Sequence, residues 1–462
     1  MLQFAKSPEE LGLSSASFLK YLDEVEKRGL RMHAVTVLRH GKVAAQFVWK
    51  PYRAGEAHML FSLSKSFTSC AAGFAVAEGL LRYEDRIIDI LPDKAPEAPS
   101  ELLQKVTIAH LLMMGSGLAP ESDSHAGSDW AREVLAQPVQ FEPGTHFHYN
   151  SHGTYLVSAA VQRVAGMTVL DYLTPRLFQP LGIEKPHFDS CPEGVNCGGW
   201  GLHLSCEAIA KFGQLLLQKG MWEEKRVLPA GWVETASAKH IENDGGTPDP
   251  DNEWAQGYGY QFWRARGDRF RGDGAFGQIC MVDEARDMVV AATAGVSHMA
   301  GEMRAMADYI FPALEAQPGT DAEQAALAAR AANLSLPFPT DSGEGPLPEG
   351  VYVREDGKET LSFAFSESGT LRLTGESENG PTDALFGRGM ALESVAPESP
   401  FTATVQPALG AWGRAGGKLR VTCRMPRAPF FLEAAYESTD EGLDAVVTTV
   451  QEKDAKHRYT KK

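Results

Sequence analysis

The sequence predicts an α+β fold, in which helices flank a five-stranded antiparallel sheet, followed by an all-β domain at the C-terminal end. Strand-like apolar runs separated by turn residues occupy residues 33–38, 43–49, 258–264, 269–282 and 288–296. Consecutive strands joined by tight turns pair antiparallel. These runs therefore predict one sheet, with two strands from its start and three from its end. The helices and loops of residues 61–239 between them predict a second lobe.

Two helices are predicted to cover this sheet. Apolar residues recur at helical spacing within residues 10–29 (Leu11, Leu13, Phe18, Leu19, Leu22, Val25) and 298–314 (Met303, Met306, Ile310, Phe311, Leu314). A ligand site between the sheet and the helical lobe is the expected arrangement.

The composition changes after residue 316. Residues 317–346 are rich in Ala, Pro, Gly and acidic side chains, which predicts a short exposed helix at 321–332 and then a stiff linker. Residues 347–462 show the alternation of strands, as at Leu361, Phe363 and Phe365. We therefore expect a first domain over 1–316, a linker over 317–346, and an antiparallel barrel or sandwich over 347–462.

The charge of the chain restricts its partners. The chain has 462 residues, with 44 Lys and Arg against 60 Asp and Glu, so its formal net charge is −16. A protein this acidic is repelled by phosphate backbones and by anionic lipid. We therefore expect neither a nucleic acid nor a membrane surface as its partner, and a small molecule as its ligand.

The cysteines and the N-terminal residues predict a cytoplasmic protein. The first residues show no basic segment followed by an apolar run, and no stretch reaches the roughly 18 apolar residues that a membrane span needs. The six cysteines are scattered without a CxxC pair, which favours reduced thiols. A zinc site at His187, Cys191 and Cys197 has a spacing typical of no common zinc motif. No phosphate loop or dinucleotide fingerprint occurs, so neither a metal nor a cofactor is expected.

The tetrapeptide Ser62-Leu63-Ser64-Lys65 predicts a nucleophile. It opens an apolar helix, where residues three apart share a face, so the Ser62 hydroxyl and the Lys65 amine are expected to meet. Free N–H groups in the first helical turn stabilise developing negative charge. This setting suits a serine that carries an acyl group. Ser17 begins a second S-x-x-K tetrapeptide on the surface helix, so the pattern alone decides nothing.

Further motifs accompany Ser62 along the chain. They are FSLSKSFTS at 61–69, TIAHLLMMGSGL at 107–118, FEPGTHFHYNSHGTYL at 141–156, GGWGL at 198–202 and GDGAFGQ at 272–278. In this order they resemble the class C β-lactamase and penicillin-binding-protein-like serine hydrolases, a family that includes esterases and D-aminopeptidases. The resemblance covers residues 1–314. The C-terminal region resembles the small lipocalin-like β-domains that some members carry.

The resemblance implies roles for the first two motifs. Ser62 falls on the nucleophile and Lys65 on its partner. Tyr149 falls on the tyrosine that acts as base toward the serine and as acid toward the leaving group. Ser151 replaces the asparagine that contacts the substrate amide in the family's Tyr-x-Asn motif.

The third motif departs from the family pattern. Gly272-Asp273-Gly274 stands where the family has Lys-Thr-Gly or His-Thr-Gly. The resemblance implies that the backbone N–H groups of Ser62 and Ala275 form the oxyanion hole, with Gly274 beside the substrate. The family's cation, which helps to hold a substrate carboxylate, is missing. Asp273 therefore either repels carboxylate substrates from the site or forms a local ion pair with Arg271.

These observations predict a metal-free serine hydrolase that cleaves a small ester or amide through an acyl-enzyme on Ser62. One alternative is a β-lactamase, D,D-peptidase or D-aminopeptidase. Another is a sensor that binds its ligand, or is acylated, without turnover. The sequence leaves the natural substrate and the oligomeric state open.

Overall fold

The computed structural model describes residues 2–119, 127–378, 380–395 and 406–462. Its α-helices are α1 (Ser15–Lys27), α2 (Ser64–Ala77), α3 (Ile87–Ile90), α4 (Ile108–Leu112), α5 (Trp130–Leu135), α6 (Ser151–Ala165), α7 (Val169–Leu173), α8 (Cys206–Leu217), α9 (Trp232–Ser237), α10 (Met299–Ala305) and α11 (Asp321–Asn333). The predicted N-terminal helix corresponds to α1, which buries Phe18, Tyr21, Leu22 and Val25 on one face. The predicted helix at 298–314 begins as α10 and continues through a π-helical turn into a 3-10 turn that ends at Leu314.

The strands of the first domain are β1 (Gln3–Phe4), β2 (Met32–Arg39), β3 (Lys42–Val48), β4 (His58–Met59), β5 (His187–Phe188), β6 (Leu202–Leu204), β7 (Met221–Trp222), β8 (Lys225–Arg226), β9 (Trp263–Arg264), β10 (Phe270–Gly274), β11 (Gln278–Asp283) and β12 (Met288–Ala294). Within the described ranges, seven of them form the central sheet in the order β1-β3-β2-β12-β11-β10-β9. The predicted neighbours β3, β2, β12, β11 and β10 pair antiparallel. Strands β4, β5 and β6 form a small separate sheet.

The sequence predicted five strands in the central sheet, whereas the described residues form seven. The run at 269–282 is interrupted by a turn in which Phe276 and Gly277 have φ values of 69° and 96°, so it forms two strands. The run at 258–264 contributes only the two residues of β9, because Gln261 also adopts a left-handed conformation, with φ of 65°. The short strand β1 adds a parallel edge beside β3.

Both faces of the central sheet are buried. Along β2, Ala34 and Leu38 belong to one apolar cluster, whereas Val35 and Val37 belong to the other. This division follows the alternation of side chains along a strand. Helix α8 packs on the first face, together with α2, and helices α1 and α10 pack on the second. The α+β class predicted from the sequence is therefore confirmed.

Helix α11 packs against the first domain. It begins with a capping box between Thr320 and Glu323, and it buries Leu327 in the apolar cluster that contains α1. Arg330 forms ion pairs with Asp23 and Glu26 of α1. The segment predicted as an exposed helix thus has one face on the first domain.

The C-terminal strands are β13 (Gly350–Arg354), β14 (Glu359–Phe365), β15 (Leu371–Ser377), β16 (Gly380–Arg388), β17 (Leu392–Val395), β18 (Pro407–Ala415), β19 (Lys418–Arg424), β20 (Phe431–Ser438), β21 (Gly442–Thr449) and β22 (Ala455–Lys461). They pair in the order β16-β15-β14-β13-β22-β21-β20-β19-β18-β17, and a parallel pairing of β16 with β18 closes the ring. This closure makes a barrel of nine strands within the described residues, with β17 outside the ring.

The barrel has its own apolar interior. The alternating residues Leu361, Phe363, Leu419, Val421 and Cys423 are buried in it, as the sequence predicts.

Among the described residues, no helix combines the length and apolar character needed to cross a bilayer.

Candidate active site

Ser62 lies in a strained turn that leads into α2. The residue before it, Phe61, has φ of 48°, a left-handed conformation that costs a bulky residue about 1–3 kcal/mol. Ser64 holds this turn in place. Its hydroxyl donates to the Phe61 carbonyl at 2.6 Å and accepts from the Leu202 backbone N–H at 3.0 Å. The two hydrogen bonds of the Ser64 hydroxyl therefore hold the backbone at Ser62 in position and leave the Ser62 hydroxyl out of these contacts.

Lys65 joins three elements at the candidate site. Its side chain is buried, and its Nζ donates to Ser62 Oγ at 3.0 Å, to Ser151 Oγ at 2.9 Å and to the Gly199 carbonyl at 2.7 Å. An ammonium group has three hydrogen-bond donors, and these acceptors match all of them. The structure therefore brings Ser62, Lys65 and Ser151 together.

Tyr149 lies beside Lys65 and within an aromatic cluster. The Lys65 Nζ is 4.8 Å from the centroid of the Tyr149 ring, on its face. The ring also stacks on Trp263 at 5.3 Å and meets the edge of Tyr258 at 6.3 Å. Burial raises the pKa of Tyr258 well above its usual value, and the neighbouring Tyr149 and Asp273 add to this shift. Tyr258 is therefore a neutral hydroxyl beside the Tyr149 ring.

The residue between Tyr149 and Ser151 has a structural role. Asn150 is the N-cap of α6, and its Oδ1 accepts from the Gly153 backbone N–H at 3.0 Å. Capping places Ser151 in the first turn of α6, with its hydroxyl at Lys65.

Strand β10 runs directly against residues 60–63, the turn that carries Ser62, the proposed nucleophile. A Cβ atom at Gly274 would lie 2.0 Å from the Leu60 carbonyl oxygen, and one at Gly272 would lie 2.5 Å from Ser66 Oγ. Only glycine permits this approach. Ala275 follows the contact, and Gln278 Nε2 donates to its carbonyl at 3.2 Å. Ala275 is an exposed residue, and in the described part of the chain no backbone acceptor pairs with its N–H.

Asp273 forms a buried ion pair. Its Oδ2 accepts from Arg271 Nε at 2.9 Å and from Trp254 Nε1 at 3.1 Å. The Arg271 side chain is completely buried, and it also donates to the Glu253 carbonyl at 3.0 Å. The sequence left two interpretations of Asp273, repulsion of substrate carboxylates or an ion pair with Arg271. The structure contains the ion pair. The pair leaves β10 without an exposed cation beside Gly274.

The C-terminal barrel contributes an aromatic side chain to the surroundings of Ser62. The Phe430 ring lies 6.0 Å from Phe61 and 5.9 Å from Phe276, and the latter two rings are 5.2 Å apart. The Met59 backbone N–H donates to the Arg427 carbonyl at 2.9 Å.

Sequence reasoning did not identify Phe430 or the Gly199 carbonyl as part of the site. Phe430 carries no motif, and a backbone carbonyl leaves no trace in a residue pattern. The landmark GGWGL, which contains Gly199, was the only signal available for that contact.

The chain has recognisable relatives. The β-lactamase family model matches residues 21–315. The chain is 24% identical over 280 residues to the 6-aminohexanoate-dimer hydrolase of Paenarthrobacter ureafaciens, a match that covers 56% of this chain and 71% of that protein. It is 26% identical over 215 residues to esterase EstB of Burkholderia gladioli, covering 40% of this chain and 55%, about half, of the relative.

A solved structure resembles both domains together. The octameric penicillin-binding protein homologue from Pyrococcus abyssi matches with a TM-score of 0.51 at 15% identity, over 91% of this chain and 97% of that one. At this identity the likeness concerns the fold alone.

Proposed function

The chain belongs to the β-lactamase family of serine hydrolases, and we propose that it hydrolyses a small ester or amide through an acyl-enzyme on Ser62. The observation that carries this proposal is the Lys65 ammonium, which contacts Ser62 Oγ, Ser151 Oγ and the Gly199 carbonyl. A buried cation 3.0 Å from a serine hydroxyl lowers the cost of forming the alkoxide.

The proposed reaction has two steps. Ser62 Oγ attacks the substrate carbonyl carbon while its proton passes to Tyr149, whose anionic form is stabilised by the Lys65 ammonium beside the ring. Collapse of the tetrahedral intermediate breaks the bond to the alcohol or amine, which takes the proton from Tyr149. Water then attacks the acyl ester, so that the acid leaves and Ser62 regains its proton.

We assign the oxyanion hole to the backbone N–H groups of Ser62 and Ala275. The close approach of Gly274 to the nucleophile turn supports this assignment, because it brings the exposed Ala275 amide next to Ser62. Donors of this kind contribute about 3–4 kcal/mol each to the stability of the transition state.

The surroundings of Ser62 favour a neutral, partly apolar substrate. Arg271 and Asp273 neutralise each other on β10, so that this strand offers no exposed charge to a substrate carboxylate. The aromatic rings of Phe61, Phe276 and Phe430 favour an apolar acyl or alcohol group. Relatives named as an esterase and as a 6-aminohexanoate-dimer hydrolase support this substrate class.

The alternative of a β-lactamase or D,D-peptidase has support from the family name. Steady-state rates with p-nitrophenyl butyrate and with nitrocefin separate the two functions. We expect a higher kcat/KM for the ester, and a preference for nitrocefin would establish the alternative. A stoichiometric burst without steady-state release would instead identify an acylated sensor.

The nucleophile is tested with a matched pair of serines. Ser62→Ala should abolish ester hydrolysis and the acyl adduct seen by intact-protein mass spectrometry. Ser17→Ala removes the serine of the second S-x-x-K tetrapeptide, within α1, and should change neither. An adduct that persists in the Ser62→Ala variant would exclude Ser62 as the nucleophile.

A further inference from the structure

A cluster of two histidines and one aspartate lies on the small sheet behind the nucleophile turn. His187 of β5 is paired directly opposite His203 of β6. Asp189 follows His187 by two residues and therefore lies on the same face. Asp189 Oδ1 lies 2.9 Å from His187 Nε2, and its Oδ2 lies 3.3 Å from His203 Nε2. The candidate ligand atoms all lie within 4.8 Å of one another.

We propose that His187, Asp189 and His203 bind a divalent zinc-type metal ion. Two imidazoles and a carboxylate are typical zinc ligands, with metal–ligand distances of about 2.0–2.2 Å. Ligands at those distances in a tetrahedral site lie about 3–4 Å apart. The ion would take the central position between the three side chains, and it would replace the two hydrogen bonds that Asp189 now accepts. Each histidine would bind through Nε2.

Two of the three side chains are largely buried and one is largely exposed, so the proposed site is open to solvent on one side. The side chains of His203 and Asp189 are 11% and 20% exposed, while that of His187 is 61% exposed. Two ligands are therefore anchored in the protein, and the third closes the site from the solvent side. Water would complete the tetrahedral coordination, as is usual where a protein supplies three zinc ligands.

The backbone around the cluster is firmly held. The Asp189 N–H donates to the Gly201 carbonyl at 2.8 Å, and the Asp189 carbonyl accepts from the Cys197 N–H at 2.8 Å. Gly201 lies so close that a Cβ atom there would be 2.8 Å from the Asp189 Cβ. The ligand atoms are therefore carried by paired strands, and binding requires only small rotations of side chains.

Cysteines near the cluster are not part of it. Cys191 Sγ lies 3.4 Å from the Tyr155 hydroxyl, and neither Cys191 nor Cys197 belongs to the group of neighbouring ligand atoms. The spacing of His187, Cys191 and Cys197 in the sequence did not favour a zinc site. The proposed site shares only His187 with that set, and Asp189 and His203 stand in place of the two thiols.

The proposed ion would have a structural role. His203 lies four residues after Gly199, whose carbonyl accepts from Lys65 Nζ at 2.7 Å. Between them, Leu202 accepts from the Leu60 N–H at 2.9 Å and donates to Ser64 Oγ at 3.0 Å. An ion that ties β5 to β6 would therefore restrict the segment that positions Lys65 and the nucleophile turn, without contacting the reacting atoms.

The test uses the full chain, freed of metal with a chelator and then dialysed. Titration with ZnCl₂ against a chromogenic competitor should show one binding site, and zinc should raise the melting temperature. Addition of Co²⁺ should give visible d–d absorption without the near-ultraviolet band of a cobalt–thiolate bond. A thiolate band, or more than one site of equal affinity, would overturn this ligand set.

Variants identify the ligands. His203→Ala, Asp189→Ala and His187→Ala should each weaken zinc binding by about tenfold or more. The matched control is His40→Ala, because His40 and Asp287 form an exposed pair with a 2.5 Å contact outside the proposed site. This control should retain the affinity of the unaltered protein. Binding that is absent in the unaltered chain, or equal in all four variants, would overturn the proposal and leave the hydrolase assignment untouched.

Discussion

The Phe430 ring of the C-terminal barrel lies 6.0 Å from the ring of Phe61, the residue immediately before Ser62. Phe276, next to Ala275, lies within 6 Å of both rings. The same loop of the barrel accepts a backbone hydrogen bond from Met59 through the Arg427 carbonyl. A side chain from the second domain therefore packs against both the turn that carries Ser62 and the turn that carries the proposed oxyanion donor.

Phe430→Ala should lower kcat/KM for p-nitrophenyl butyrate by about tenfold, because loss of a buried aromatic contact near the site costs about 1.4 kcal/mol or more. The effect should be smaller for p-nitrophenyl acetate, whose acyl group is shorter. Steady-state kinetics with both esters measure this difference. Phe365→Ala is the control, since Phe365 packs on Trp412 inside the barrel. Equal losses in the two variants would mean that Phe430 only stabilises the barrel.

The position of α11 predicts where the chain can be cut. A chain that ends at residue 316 loses Leu327 from the first core and the ion pairs of Arg330 with α1. Loss of one buried leucine costs about 2–5 kcal/mol. We expect residues 1–338 to unfold cooperatively in urea and residues 1–316 to be less stable by that amount. Equal unfolding free energies of the two fragments would contradict this expectation. Both fragments lack Phe430, so their kcat/KM for p-nitrophenyl butyrate should fall at least as far as in Phe430→Ala.

The sequence was informative wherever a function depends on neighbouring side chains. Ser62 and Lys65 are one helical turn apart, so their contact follows from helix geometry alone. Gly274 also marks, as glycines often do, a place where two backbones touch, and Gly272 lies against the side chains of Ser66 and Leu63. The α+β class followed from the spacing of turns and apolar runs. The catalytic roles assigned to Ser62, Lys65 and Tyr149 stay predictions until variants are measured.

What the sequence did not reveal depends on non-local contacts or on backbone atoms. The break between β10 and β11 arises because Phe276 adopts a left-handed conformation that its side chain does not favour. The contact of Phe430 with Phe61 results from docking of one domain on the other, for which no local pattern exists. The Gly199 carbonyl acts through its position, and any residue has a carbonyl.

Asp273→Asn should have two separable effects. It leaves the buried Arg271 guanidinium with only the Glu253 carboxylate, 4.0 Å away, as a charged partner, which costs up to about 3–5 kcal/mol of folding stability. It also removes a negative charge near Gly274. The kcat/KM for a carboxylate-bearing ester should therefore rise relative to its methyl ester. Thermal unfolding and paired kinetics measure the two effects.

The control for that variant is Asp383→Asn, which breaks the exposed ion pair with Arg372 and should cost less than about 1 kcal/mol. If the substrate ratio stays unchanged in Asp273→Asn while stability falls, Asp273 serves only the ion pair. If neither changes, the ion pair is not energetically important.

Two buried histidines predict acid sensitivity. His33 Nδ1 and His58 Nε2 are 3.0 Å apart, and burial lowers the pKa of His58 from 6.5 to about 4. The unfolded chain binds a proton below pH 6.5 and the folded chain does not, so stability present above that pH is lost between pH 6.5 and 4. The loss for His58 is about 3 kcal/mol.

Urea unfolding between pH 7 and 4 measures this loss. His58→Asn retains a donor near the Met59 carbonyl, which His58 Nδ1 now contacts at 2.9 Å, and it removes the titrating group. We expect a flatter dependence of the unfolding free energy on pH in this variant. His457→Asn, on an exposed strand of the barrel, should keep the slope of the unaltered protein. Identical slopes in all three proteins would contradict the assignment.

Glu302 predicts the opposite dependence at higher pH. The side chain is completely buried beneath the turn after β10, where a Cβ atom at Gly277 would lie 2.5 Å from Glu302 Oε2. Within the described residues, neither carboxyl oxygen of Glu302 has a hydrogen-bond partner. Burial, followed by the nearby charge of Asp273, raises the pKa of Glu302 well above 4.5. Above that pH the unfolded chain is ionised here while the folded chain stays protonated. Stability therefore falls by about 1.4 kcal/mol per pH unit until the folded carboxyl ionises.

Glu302→Gln replaces this group with a neutral side chain of nearly the same shape. At pH 5 its unfolding free energy should lie close to that of the unaltered protein, and at pH 8 it should be higher, because no proton is lost on unfolding. Glu97→Gln, at an exposed position, should leave both values unchanged. A Glu302→Gln variant that is less stable at both pH values would show that the folded protein needs the carboxyl group itself. Such a result would place a contact of the carboxyl group beneath the turn that carries Ala275.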